Sequence, residues 1–396
     1  RIFALVGKHF PTGAHKVGAS FGCLAPRLVT GTFDPTKQKA VWPSTGNYCR
    51  GGAFNSRLLG CEAVAILPEE MSRERFEWLK STGVEVIATH GCESNVKEIY
   101  DKCWELKRDR GDGVTILNQF AEFGNGMWHY QVTAPAIQEV LQANLGPDDE
   151  FFGYISATGS AGTLAAGDRL KEWYPTSKII AAEALQCPTL LRSGFGAHGI
   201  EGIGDKHVPW IHNVRNTDVV AAVDDTDPIS LLRVFNSPVG RAALQRRGVP
   251  QSFIDKLDLI GISGIGNLIA AIKTAKWFEL GKNDALVTIF TDSAALYQSR
   301  CQELDEKHGV LTDVQAEVLL GRHLDGLKTD SMAELTYWEK KRIHNLKYYT
   351  WIEQQGHDVE ELNAQWDSKV YWKARWHLAD RYDALIRDFN DKIAKA

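Results

Sequence analysis

The sequence predicts an α/β fold of two parallel-sheet lobes followed by an all-helical tail, and three observations carry that reading. Short β-branched or apolar runs alternate with amphipathic segments, glycine- and hydroxyl-rich loops follow several of those runs, and the alternation stops near residue 303. Each crossover is long enough for a right-handed βαβ unit, so the strands should lie parallel with helices on both faces. In such sheets a ligand binds beyond the C-terminal strand ends, in the loops that lead into helices.

Ile2, Leu5 and Val6 predict a strand almost at once after Arg1, and some N-terminal sequence is expected to be missing. Pro11 and Gly13 mark a tight turn, and "KVGASFGCLAPRLV" reads as a helix that begins at Lys16. The next strand candidates are "KAVWP", "EAVAILP", "VEVIAT", "GVTILN", "GYISAT", "KIIAAEA", "DVVAAV", "LIGIS" and "ALVTIFT". Amphipathic stretches at 72–82, 94–109, 163–173 and 266–280 alternate with them.

With 396 residues, 44% hydrophobic and 24% charged, the chain is long enough for two domains with sizeable cores. A net charge of -5 provides no broad basic field, so neither nucleic acid nor an anionic membrane is an expected partner. No apolar run approaches the roughly 18 residues of a spanning helix, and no secretory h-region opens the chain, so a cytoplasmic protein is expected. The seven cysteines are scattered without a C-x-x-C pair and read as reduced thiols. No grouping of His, Cys and carboxylates has metal-ligand spacing, so no metal is expected.

Three loops carry chemistry. "VWPSTGNYCRGG" offers Ser44, Thr45, Gly46 and Asn47 after a strand, a turn of hydroxyls, amide and N–H groups suited to an anion. In "YISATGSAGTLAAG", Gly159, Ser160, Ala161, Gly162 and Thr163 open a helix, whose free N–H groups and dipole converge on one point, a phosphate cup. "LIGISGIGNLIAAIK" sets Ser263 at a third strand-to-helix junction. Taken singly, each loop is consistent with tight packing, and Lys16 with a solvated surface residue. The cup lacks the G-x-x-x-x-G-K-[ST] of a P-loop, "GISGIG" lacks the dinucleotide spacing, and no G-x-S-x-G elbow supports a Ser-His-Asp hydrolase.

In combination and order these residues carry a resemblance. Lys16 in "PTGAHK", the "STGN" loop, "NQF" at 118–120, "TGSAGT" at 158–163, "GAHGIEGIGDKHVP" at 196–209 and "GIS" at 261–263 resemble the landmarks of the fold-type II pyridoxal-phosphate (PLP) enzymes, the tryptophan synthase β-like superfamily. The body is similar to cysteine synthase, cystathionine β-synthase and cysteine desulfhydrase, whereas "TGAHK" is closer to the tryptophan synthase β chain. The resemblance implies two α/β lobes with PLP in the cleft. It implies that Lys16 forms the Schiff base and shuttles the α-proton, that Gly159, Ser160, Ala161, Gly162 and Thr163 hold the cofactor phosphate, and that Asn47 bonds the ring hydroxyl. Ser263 would face the pyridine nitrogen, His15 would contact the phosphate, and Ser44, Thr45, Gly46, Tyr48 and Gln119 would form the substrate site, with Ser44, Thr45 and Gln119 on the α-carboxylate.

Two positions depart from the family pattern. Ala161 stands where the cup often has Gly, and bulky Tyr48 and Cys49 replace the small pair that usually follows the asparagine, so the substrate pocket is expected to be reshaped. Arg50, together with Arg73 and Arg75 in "MSRERFEWL", is a candidate for a distal anion on the substrate, with solvated side chains as the alternative. Arg73 and Arg75 alternate with Glu74 and Glu77 and are assigned to a solvated helix face, Cys49 reads as buried and inert, and His198 and His207 flank the "GIEGIG" stretch as candidates for closing the site.

The expected division is a large PLP-binding lobe of 1–34 and 136–302, a small mobile lobe of 35–135 with the asparagine loop, and a helical C-terminal extension of 303–396. That extension holds five of the twelve tryptophans, which must be buried against the body or against a second subunit, and "LKYYTWIEQQG" is a candidate cover for the active-site mouth. The expected function is PLP-dependent β-elimination or β-replacement on a cysteine-like amino acid or its thioether, through an aminoacrylate, by a homodimer or higher homo-oligomer. Cysteine synthase proper, threonine synthase or serine/threonine dehydratase, and a catalytically silent binding protein of the same fold are the alternatives.

Overall fold

The computed structural model describes residues 1–395. Its strands are β1 (Ile2–Val6), β2 (Lys39–Pro43), β3 (Ala63–Pro68), β4 (Glu85–Thr89), β5 (Val114–Ile116), β6 (Glu150–Ala157), β7 (Lys178–Ala184), β8 (Val219–Val223), β9 (Asp284–Phe290) and β10 (Met332–Glu334). They form two sheets, ordered β1-β9-β6-β7-β8-β10 and β4-β3-β2-β5. All pairings are parallel except β10 against β8.

The near-continuous apolar runs are explained by burial on both faces. In β7 and β8, Ile180, Ala182, Val219 and Ala221 enter one core with Ile265 and Ile269, while Ile179, Ala181 and Val220 enter the opposite core with Leu170. The smaller sheet splits in the same way, with Ala40 and Trp42 on one side and Val41, Val64 and Ile66 on the other. Helix α1 (Lys16–Val29) sends Ala19, Cys23 and Leu24 into the first of these small-sheet cores. Helices α2 (Asn47–Leu58), α3 (Arg73–Ser81) and α4 (Val96–Arg110) complete the crossovers.

Two local expectations fail. "LIGIS" is not a strand: Leu257–Leu259 is a single 3-10 turn and the helix Ile262–Trp277 starts directly after it. The run is apolar because Ile260 and Ile262 plug the large core, not because they pair with a neighbour. The tail, helical from Gln298–His308 to Leu378–Ala394, also contains β10, which caps the free edge of β8.

The tail aromatics pack mainly on their own chain. Trp351 donates to the Val208 carbonyl at 2.8 Å and Trp376 to the Asp168 Oδ2 at 2.8 Å, while Trp338 stays exposed. Buried Lys347 donates to the carbonyls of Trp210 and His212 and to Gln365 Oε1. "LKYYTWIEQQG" therefore braces the back of the 207–212 segment and does not cover the mouth of the cleft. Among the described residues no helix is long and apolar enough to cross a membrane.

Candidate active site

The loops that leave β2, β4, β6, β7 and β9 converge with the first turn of α1 on a cavity between the two sheets. Lys16 is the first residue of α1 and lines this cavity. Its Nζ donates to Ser160 Oγ at 2.8 Å. Loss of water around the amine, only partly offset by distant negative charge, pulls it down to about 8, within reach of the free base.

The Gly159–Thr163 loop faces Lys16 with its hydroxyls. Ser160 Oγ also accepts from Asn125 Nδ2 at 2.9 Å, and Thr163 Oγ1 bonds Ser156 Oγ at 2.6 Å. Gly162 is there for space, since a Cβ would lie 2.0 Å from Asn125 Oδ1. Ala161 holds a left-handed φ of 59°, a conformation that glycine adopts without strain.

The asparagine loop closes the opposite wall. Asn47 Nδ2 donates to Asp292 Oδ2 at 2.6 Å and its Oδ1 is buried without a partner. Ser44 Oγ accepts from Gln119 Nε2 at 2.9 Å and from the Gly46 N–H at 3.3 Å, so the hydroxyl can be passed to a ligand with its donors already in place. Thr45 is committed elsewhere: its Oγ1 donates to Glu93. Tyr48 contributes its ring to the wall while its hydroxyl donates to the Leu117 carbonyl, and Cys49 is fully buried under the Trp42 and Ile66 carbonyls.

The structure departs from the sequence reading at several site positions. Ser263 is buried behind the cavity, bonded to Thr291 Oγ1, and it is Thr291 that lines the space. His15 lines it too, but its Nδ1 meets the Thr291 carbonyl, which makes Nδ1 the donor and leaves Nε2 an unpartnered acceptor. Burial and the charge of Lys16 hold that ring neutral, near 3, so it offers no proton to an anion. Arg50 is turned away, 4.8 Å over the ring of Trp78. His198 bonds the Gly204 carbonyl and His207 the Tyr100 hydroxyl, both behind the wall.

Arg75 is the main correction, because it is 1% exposed and faces the cavity, not solvent. Its guanidinium pairs with Glu201 and, at 3.6 Å, with Asp292, and it donates to Tyr297 Oη at 2.9 Å. The alternation of charges along α3 concealed it, since the partners lie more than a hundred residues away. Glu93 and Asp205 are further cavity residues that sequence reasoning passed over. Burial raises both carboxyls, Glu93 to about 7. The signals were available: Glu93 stands in a strand-end loop and Asp205 lies inside the "GIEGIGDKHVP" stretch.

A lysine amine held near neutrality opposite a hydroxyl-lined, glycine-cut anion cup defines the site of an α/β enzyme that carries a phosphorylated aldehyde. The unpartnered Asn47 Oδ1 and the hydroxyls of Ser160 and Thr163 on the cavity wall fit such a group. The chain belongs to the family of pyridoxal-phosphate dependent enzymes, whose pattern it matches over residues 5–233, and pyridoxal 5′-phosphate is its cofactor. It is 31% identical to a cysteine synthase of Staphylococcus aureus over 65% of this chain and 75% of that protein. It is 26% identical to the O-acetylserine dependent cystathionine beta-synthase of Bacillus subtilis over 70% and 83%. A hydrogen sulfide-producing enzyme of Fusobacterium nucleatum shares the fold, with a TM-score of 0.64, 24% identity, and coverage of 75% and 91%.

Proposed function

We propose that the protein breaks the bond between the β-carbon and sulfur of a cysteine-like amino acid or its thioether by β-elimination, with β-replacement by a thiol as the second reading. The contact of Lys16 Nζ with Ser160 Oγ inside the cavity carries this reading. Pyridoxal 5′-phosphate, when bound, withdraws electrons from the α-carbon of the substrate.

The residues of the chain do the rest. Lys16 holds the cofactor and, once released from it, is the base that takes the α-proton, a task that suits an amine near 8. Gly159, Ser160, Ala161, Gly162 and Thr163 hold the phosphate through N–H groups and hydroxyls. Asn47 bonds the ring hydroxyl, and Thr291, backed by Ser263, is the hydroxyl assigned to the ring nitrogen. Ser44 and Gln119 grip the α-carboxylate, while Thr45 joins them only when Glu93 gives up its proton bond. The 35–135 segment, which contributes Ser44, Asn47, Arg75 and Glu93, closes as a small lobe over the remainder of the cleft and expels water.

Elimination is favoured over replacement because Tyr48 lines the cavity beside the asparagine, where the resemblance to cysteine synthase leads to the expectation of a small residue. The similarity to cysteine synthase supports the second reading. The test is to reconstitute the protein with pyridoxal 5′-phosphate, look for absorbance near about 410–420 nm, and assay pyruvate and thiol from cysteine, its thioethers, serine, threonine and acetylserine. Pyruvate from cysteine supports elimination, whereas thiol consumption with acetylserine and no pyruvate supports replacement.

The assembly is read as a homodimer, supported by exposed Tyr337, Trp338 and Tyr349 on the tail. A cytoplasmic location fits seven cysteines that are all free thiols. Sedimentation and cell fractionation test these two readings.

A further inference from the structure

Two carboxyl groups in the cavity have no contact with substrate or cofactor in the chemistry described above. Glu93, from the loop after β4, and Asp205, from the loop after β7, come from the two different sheets and both line the space. They are 3% and 4% exposed. Thr45 satisfies one oxygen of Glu93, but Glu93 Oε2 and Asp205 Oδ2 are buried with no hydrogen-bond partner. A buried polar atom without a partner is costly, and a ligand that brings a donor removes the cost.

The cations nearby do not fill that role. Arg75 is held by Glu201 and Asp292 and by the hydroxyls of Tyr297 and Ser72, and of its donors only Nε is buried without a partner. Lys16 is taken up by the cofactor, His15 is neutral, and Arg50 lies over Trp78 outside the cavity. The remaining parts of the ligand already have partners, the phosphate at Gly159–Thr163 and the α-carboxylate at Ser44 and Gln119. What is left to meet Glu93 and Asp205 is the substituent on the β-carbon.

We propose that Glu93 and Asp205 are the specificity-determining residues for the β-substituent, and that they select a hydrogen-bond-donating group, an ammonium above all, and reject an anion. This rests on the β-carbon reaction proposed above and narrows its substrate class. It also reverses the expectation of a distal anion, which looked to Arg50 with Arg73 and Arg75. An anionic substituent would add negative charge where burial, and for Asp205 also the neighbouring Glu93, already disfavours ionisation of both carboxyls. An ammonium would instead favour the ionised carboxyls and supply the donors that Glu93 Oε2 and Asp205 Oδ2 lack.

The experiment compares S-(2-aminoethyl)-L-cysteine with S-carboxymethyl-L-cysteine, two ligands alike in their amino-acid end and opposite in the charge of the substituent. Dissociation constants for the holoenzyme are read from the change in cofactor absorbance. The expected result is that the aminoethyl compound binds at least ~10-fold tighter, and that Glu93→Gln with Asp205→Asn brings the two to within about 3-fold of each other. Equal or tighter binding of the carboxymethyl compound by the wild-type protein overturns the proposal, as does a preference that survives both substitutions. If the double variant does not fold, the wild-type comparison still decides. Failure here is distinct from failure of the proposed function, because pyruvate and thiol release from L-cysteine by the wild-type protein is measured separately.

Discussion

The amine of Lys16 rests 2.8 Å from the hydroxyl of Ser160, a contact that joins the start of α1 to the loop after β6 across 144 residues of sequence. The partner is a neutral hydroxyl that also accepts from Asn125, not a carboxylate. A carboxylate would lock the amine in its charged form, whereas a hydroxyl leaves it free to lose a proton.

Lys16→Ala is therefore expected to abolish the cofactor's long-wavelength absorbance and to lower turnover by about a thousandfold or more. Reconstitution of the wild-type apoprotein should speed up as pH rises through about 8, the point where the amine sheds its proton, and not through the 10.5 of an ordinary lysine. Stopped-flow absorbance across that range checks the midpoint.

Gly162→Ala puts a methyl group 2.0 Å from Asn125 Oδ1 and must displace the side chain that bonds Ser160 and the Gln119 carbonyl. Cofactor affinity, measured by equilibrium dialysis, should fall by about 10-fold or more. Ala161→Gly next to it should do the reverse, relieving about 1 kcal/mol of left-handed strain with the cup intact.

Arg75→Met removes the cation between Glu201 and Asp292 and leaves both carboxylates buried. A loss of about 3–5 kcal/mol in urea unfolding is expected. Arg300, which still pairs with Glu201 at 2.7 Å, should hold the loss toward the lower end.

Trp376→Ala tests the tail. The indole is 1% exposed, lies 6.2 Å from the Tyr130 ring and donates to Asp168. Its loss should cost about 3–5 kcal/mol, read as a lowered midpoint of denaturation.

What could be read from sequence was whatever the chain encodes locally. "KAVWP" and "KIIAAEA" coincide with β2 and β7 because a doubly buried strand writes its apolar run without interruption. Lys16, Asn47 and the Gly159–Thr163 loop were legible because each sits where a strand hands over to a helix. "LIGIS" misled, since a short apolar plug and a short strand look alike until pairing partners are known. The burial of Arg75 was invisible because Glu201, Asp292 and Tyr297 arrive from distant loops. β10 was hidden for a related reason: "MAE" has no strand signature, and only the vacant edge of β8 recruits it.

The pairing of β1 with β9 sets a timetable for biosynthesis. Residues 2–6 leave the ribosome long before residues 286–290 and have no strand neighbour until those arrive, and β8 waits longer still for residues 332–334. Residues through 334 must therefore emerge before the larger sheet gains its outer strands, so its apolar borders stay open to wrong partners during synthesis. A nascent chain halted before residue 284 should be a client for chaperones, however sound the smaller sheet already is.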